Sequence, residues 1–144
     1  MNATLAVVEA AQERTGGCLC GRIRFTVRGK AVFPHLCHCE HCQRLGGGPV
    51  MWWAGWPVDA VTWTGEGGEP TYVTTFKDEA QRGFCPDCGA RISAIDSDVP
   101  ELGINVTALD DTSAADLVPV HESFKENAVP WLSVVAEAQP SPAG

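Results

Sequence analysis

The chain has 144 residues, 44% hydrophobic content and a formal net charge of -8. That length suits one domain with one modest core, and the composition is that of a globular rather than a disordered protein. The acidic balance repels nucleic acid phosphates and anionic membrane surfaces, so neither is expected as a partner.

The N-terminal run MNATLAVVEAAQERTGG has no basic start and carries acidic residues. It reads as a short helix or a frayed tail rather than a signal peptide, which places the protein in the cytoplasm. Residues 1–15 are read as an N-terminal extension, 16–135 as the folded domain and 136–144, AEAQPSPAG, as a disordered tail.

The first strand signal is GRIRFTVR at 21–28, where Ile23, Phe25 and Val27 alternate with Arg22, Arg24, Thr26 and Arg28. After Cys42 the segment QRLGGG can hold a helical turn before its glycines end it. The apolar run PVMWWAGWPV is too short to cross a bilayer and is broken by proline. AVTWTG and TYVTTF read as two strands joined through the glycine-rich stretch 65–70 in a hairpin-like connection. ARISAI, ELGINVTALDD and DLVPVHESF complete a mainly β pattern.

Seven cysteines fall into three groups: Cys18 and Cys20; Cys37, Cys39 and Cys42; Cys85 and Cys88. In a reducing compartment, clustered cysteines point to metal ligation rather than disulfides, and an odd count cannot pair completely. CPDCG at 85–89 has the form of a zinc knuckle, with Gly89 free to take a positive φ. A closed zinc site needs four donors, and Cys18 with Cys20 can complete it if a bend at Gly16, Gly17 or Gly21 brings their sulfurs together. Such a site staples the start of the domain to its middle.

Cys37, Cys39 and Cys42 then remain as three donors. Three protein ligands with one open position mark a reactive zinc, and three thiolates favour a fourth sulfur over water activation. The competing reading is a second closed structural site completed by His35, His38 or His41.

GGCLCGRIRF, CHCEHCQRLGG, RGFCPDCGARI and HESFKENAVPW together resemble the ordered motifs of the glutathione-dependent formaldehyde-activating enzyme family, over residues 16–131. The resemblance implies a mainly β, Mss4-like fold of several coiled antiparallel sheets stapled by zinc. It implies two Zn²⁺ per chain: a structural ion on Cys18, Cys20, Cys85 and Cys88, and a catalytic ion on Cys37, Cys39 and Cys42. The implied activity is that of a carbon–sulfur lyase joining a small-molecule thiol, glutathione foremost, to formaldehyde or a related small aldehyde. The alternative is a non-catalytic, zinc-stapled β module that binds a protein partner.

Four tryptophans, Trp52, Trp53, Trp56 and Trp63, follow the cysteine trio. They are expected to pack in the core, with one or two walling a pocket over the open metal position. A glutathione site needs cations for its carboxylates; Arg44 stands first by its closeness to Cys42, with Arg82 and Arg91 behind it. His121 and Trp131 match the family's C-terminal segment, and His121 is expected to be buried and hydrogen-bonded.

Overall fold

The computed structural model describes residues 12–75 and 79–132. The N-terminal residues 1–11 and the expected tail 136–144 lie outside the described residues, as does Phe76 at the end of TYVTTF.

The architecture is mainly β, in two sheets. The smaller has the order β1 (Glu13–Gly17), β2 (Arg24–Arg28) and β5 (Val61–Trp63), all antiparallel. The larger contains β3 (Val32–Cys37), β4 (Met51–Trp56), β6 (Thr71–Thr74), β7 (Ala80–Phe84), β8 (Arg91–Asp96), β9 (Leu102–Asn105) and β10 (His121–Ser123). Its spatial order is β10-β3-β4-β9-β8-β7-β6. Among the described residues one pair, β10 with β3, is parallel within an otherwise antiparallel sheet. Among the described residues there is one α-helix, α1 (Glu40–Gly46), which connects β3 to β4.

Residues 13–15, grouped above with an N-terminal extension, belong to β1. The hairpin expected across 65–70 is not formed. β5 pairs with β2, whereas β6 pairs with β7 in the other sheet, so this stretch carries the chain between sheets.

The main core lies where the sheets face each other. Phe25 and Val27 of β2 are buried as their alternation requires, while Arg24 and Thr26 are half-buried and Arg28 is exposed. The larger sheet contributes Ala54, Trp56, Ile92 and Ile104 to this cluster. β4 shows no polar alternation because both its faces are covered. Ala54 and Trp56 enter the main core, whereas Trp53 packs with Cys37, Cys42 and Ala94 in a second cluster.

One ion pair secures the first strand to the end of the chain's path. Arg14 donates to both carboxylate oxygens of Asp116, at 2.9 and 2.7 Å, and to the Gly29 carbonyl. Its guanidinium lies over the Trp56 ring, and Asp116 also accepts from the Ala31 N–H. Arg14 and Asp116 are only 8% and 16% exposed, so removing one leaves an uncompensated charge in a dry setting. Asp116→Asn is expected to cost about 3–5 kcal/mol in urea unfolding at neutral pH. Burial alone would raise the Asp116 pKa, but the hydrogen bonds from Arg14 and Ala31 hold it below the usual carboxylate value. A depressed folded-state pKa means this contribution is present above the unfolded value of about 4. It is lost as pH falls through the lower folded value, and the acid limb of the pH–stability profile is expected to shrink in Asp116→Asn.

Candidate metal centre

The Cys18/Cys20 pair sits at the tip of the β1–β2 hairpin, closed by Cys18 N–H donating to the Ile23 carbonyl at 3.0 Å. Gly21 turns the chain with φ 85°, which is the bend a CxC pair needs to direct both sulfurs at one point. Cys85 and Cys88 occupy the tip between β7 and β8. There Cys85 N–H bonds to the Ala90 carbonyl, Gly89 N–H to the Cys85 carbonyl, and Gly89 has φ 80°.

All four sulfurs lie within 4.8 Å of one another. Cys18 Sγ and Cys20 Sγ are 3.5 Å apart, and Cys20 Sγ and Cys85 Sγ 3.8 Å. Zn–S bonds of about 2.3 Å in a tetrahedron put the sulfurs about 3.8 Å apart, so the set fits that ion. Amides serve the thiolates as well: Ile23 N–H points at Cys18 Sγ at 3.2 Å, and the Ala90 N–H helps draw the Cys88 pKa down to about 6. The quartet joins one hairpin tip from each sheet.

The trio is built at the junction of β3 and α1. Cys37 ends β3, Cys39 is the N-cap of α1, and Cys42 lies in its first turn. Cys42 N–H donates to Cys39 Sγ at 3.3 Å, which caps the helix and favours the thiolate. Among these three sulfurs it is Cys39 whose thiolate the neighbours favour. Hydrogen bonds from the Cys37 and Cys42 thiols lower its pKa, and the same contacts push Cys37 and Cys42 up. Cys37 and Cys42 are buried, whereas Cys39 is partly open.

The sulfurs of Cys37, Cys39 and Cys42 form a second group of potential metal donors within 4.8 Å, and among the described residues no histidine, aspartate or glutamate joins it. The three histidines considered for a closed site are occupied differently. His35 Nδ1 bonds to the Phe33 carbonyl, and His41 lines the neighbouring pocket. His38 is fully buried, and its Nε2 bonds to Glu122 at 2.8 Å. Its main-chain N–H bonds to the Ser123 carbonyl, so β10 braces the trio from outside.

A pocket opens beside Cys42, lined by Leu45, Met51, Trp53, Arg82 and Arg91 among others. Trp53 is the one tryptophan of the four in its wall. Trp56 is fully buried, Trp52 donates its indole N–H to the Leu117 carbonyl, and Trp63 packs edge-on to Phe25. Arg44, placed first by its sequence position, is 80% exposed, pairs with Glu40 one turn away and does not line the pocket. Arg82 and Arg91 arrive from β7 and β8. His121 is exposed against the Phe33 ring rather than buried, and Trp131 is 74% exposed. The buried histidine is His38. Its carboxylate partner, Glu122, lies in HESF beside His121.

A family model described as glutathione-dependent formaldehyde-activating enzyme matches residues 13–127. Among solved structures, the crystal structure of a Rhodobacter sphaeroides protein from the Northeast Structural Genomics effort is similar in fold, with a TM-score of 0.58. It is 22% identical, and the match covers 76% of this chain and 99% of that one. No curated protein matches the chain.

Proposed function

Because the chain belongs to the glutathione-dependent formaldehyde-activating enzyme family, we propose that it is a zinc-dependent carbon–sulfur lyase, reversibly joining glutathione or a similar thiol to formaldehyde or a related small aldehyde. The reaction forms one C–S bond. The thiolate sulfur supplies the electron pair, the carbonyl π pair moves to oxygen, and the thiol proton ends on that oxygen as a hydroxyl. The carrying observation is the group of three thiols, Cys37, Cys39 and Cys42, without a fourth side-chain donor among the described residues and with a pocket at its side.

In this reading the quartet holds a structural Zn²⁺ and the trio a catalytic one. A zinc ion on the trio would supply an open coordination position and keep a substrate sulfur in its nucleophilic thiolate form. The protein's own part is positional. Cys37 is fixed by β3 pairing with both β4 and β10, and Cys39 and Cys42 by the start of α1. Gln43 ties the helix to the Pro49 and Asn127 carbonyls. Leu45, Met51 and Trp53 give the pocket apolar walls that hold water away from the reacting sulfur. No described helix is long and apolar enough to cross a membrane. We place the protein in the cytoplasm, where the thiol substrate and the seven cysteines stay reduced.

The test is exchange spectroscopy of glutathione and formaldehyde at equilibrium, with metal analysis of the same sample. Zinc near two per chain and adduct exchange well above the uncatalysed rate are expected. A fully loaded protein that accelerates exchange with no thiol or small aldehyde would leave the partner-binding module as the better account.

A further inference from the structure

This acidic chain pairs most of its arginines. Arg14, Arg22, Arg24, Arg44 and Arg82 each meet a carboxylate. Arg82, although in the pocket wall, is neutralised by Asp96 at 2.9 Å and also donates to the Gln81 carbonyl. Arg91 is different. It is half-buried, lines the same pocket as Cys42, and forms no ion pair among the described residues. A partly buried cation without a counter-charge is costly unless something else supplies one.

The guanidinium is held in place rather than loose. Its Nε donates to the Leu45 carbonyl at 2.8 Å, and its Cζ lies over the Phe84 ring, 5.2 Å from the centroid. Asn105 pins the main chain behind it by donating to the Arg91 carbonyl at 2.9 Å. Arg91 also lines a second, more polar groove that includes Arg24, Asn105 and Thr107, so it stands where two depressions meet. An oriented guanidinium matches a carboxylate with two parallel hydrogen bonds. In a protein with net charge -8, an unpaired cation beside the trio also offsets the general repulsion of an anionic thiol.

Resting on the thiol–aldehyde reading above, we propose that Arg91 receives a carboxylate of the substrate thiol, so that the pocket beside Cys42 selects carboxylate-bearing thiols over neutral ones. Glutathione belongs to the selected class, and its diethyl ester does not. Arg44, out of the pocket and paired with Glu40, takes no part.

The experiment is isothermal titration calorimetry of the zinc-loaded protein with glutathione and with glutathione diethyl ester, alongside adduct exchange with each. The wild-type protein is expected to bind glutathione about 10- to 100-fold more tightly than the ester. Arg91→Gln keeps an N–H donor for the Leu45 carbonyl but removes the charge, and is expected to bring the two affinities together. Arg44→Gln is expected to keep the preference. A shifted α1 would weaken both ligands alike, so the ratio separates charge recognition from helix positioning. Equal wild-type affinities, or a preference that survives in Arg91→Gln, would overturn the proposal; the first needs no variant to fold. Catalysis without preference fails the proposal and leaves the lyase reading standing. A preference without catalysis of any thiol does the reverse.

Discussion

Cys85→Ala is expected to lack a cooperative unfolding transition at room temperature, with far-UV circular dichroism showing loss of sheet and metal analysis showing loss of the quartet's zinc. Cys85 is fully buried at the β7–β8 tip, and its partner Cys18 is 8% exposed at the β1–β2 tip. On the zinc reading, metal held between them would join two hairpin tips that otherwise meet through contacts such as the Arg22–Asp87 ion pair at 2.9 Å. Structural zinc in thiolate sites is linked to about 10–16 kcal/mol of apparent binding energy. The whole stability of a domain is about 5–15 kcal/mol. Losing one donor therefore removes an amount comparable with everything that keeps the chain folded. A strong chelator applied to the unaltered protein is expected to reproduce the effect. A Cys85→Ala protein with an unchanged melt and two zinc ions would show that the quartet is not the staple.

Cys42→Ala is expected to behave in the opposite way. Cys42 is 4% exposed but belongs to a small cluster with Cys37, Trp53 and Ala94, set apart from the core between the sheets. Its truncation is expected to cost about 1–2 kcal/mol of stability and leave a cooperative transition. Zinc should fall from two ions per chain to one. Adduct exchange should fall by about a thousandfold, since metal assistance supplies several kcal/mol and each 1.36 kcal/mol is tenfold in rate. Unfolding of Cys42→Ala as complete as that of Cys85→Ala would instead assign the trio a structural role.

The cysteine partition was legible because donors announce themselves: a knuckle needs its glycine and a CxC needs its bend, and Gly89 and Gly21 both stand at positive φ. β2 was equally plain, being buried on one face only. β3 was not. Phe33 has φ 48°, and the register slips between Val32 and His35, so its residues do not alternate. β7 was hidden for a related reason, an irregularity between Gly83 and Phe84. The hairpin reading of 65–70 failed because glycine-rich turns mark a change of direction without saying which strand comes next. The cation ranking departs from the pocket lining because it measured closeness along the chain. Arg44 is two residues from Cys42 yet its helix turns it outward, whereas Arg91 reaches the pocket through strand pairing alone. Burial was expected at His121 from its place in the C-terminal motif, whereas the fold buries His38 against Glu122 and leaves His121 exposed.

The parallel pairing of β10 with β3 has a consequence for how the protein is made. Every cysteine precedes Gly89, so the donors of both groups have all emerged well before the last strand. The strand that ends in Cys37 still lacks its outer neighbour, and His38 its acid, until residues 121–123 emerge. The trio therefore receives its last main-chain support only when nearly the whole described chain is out.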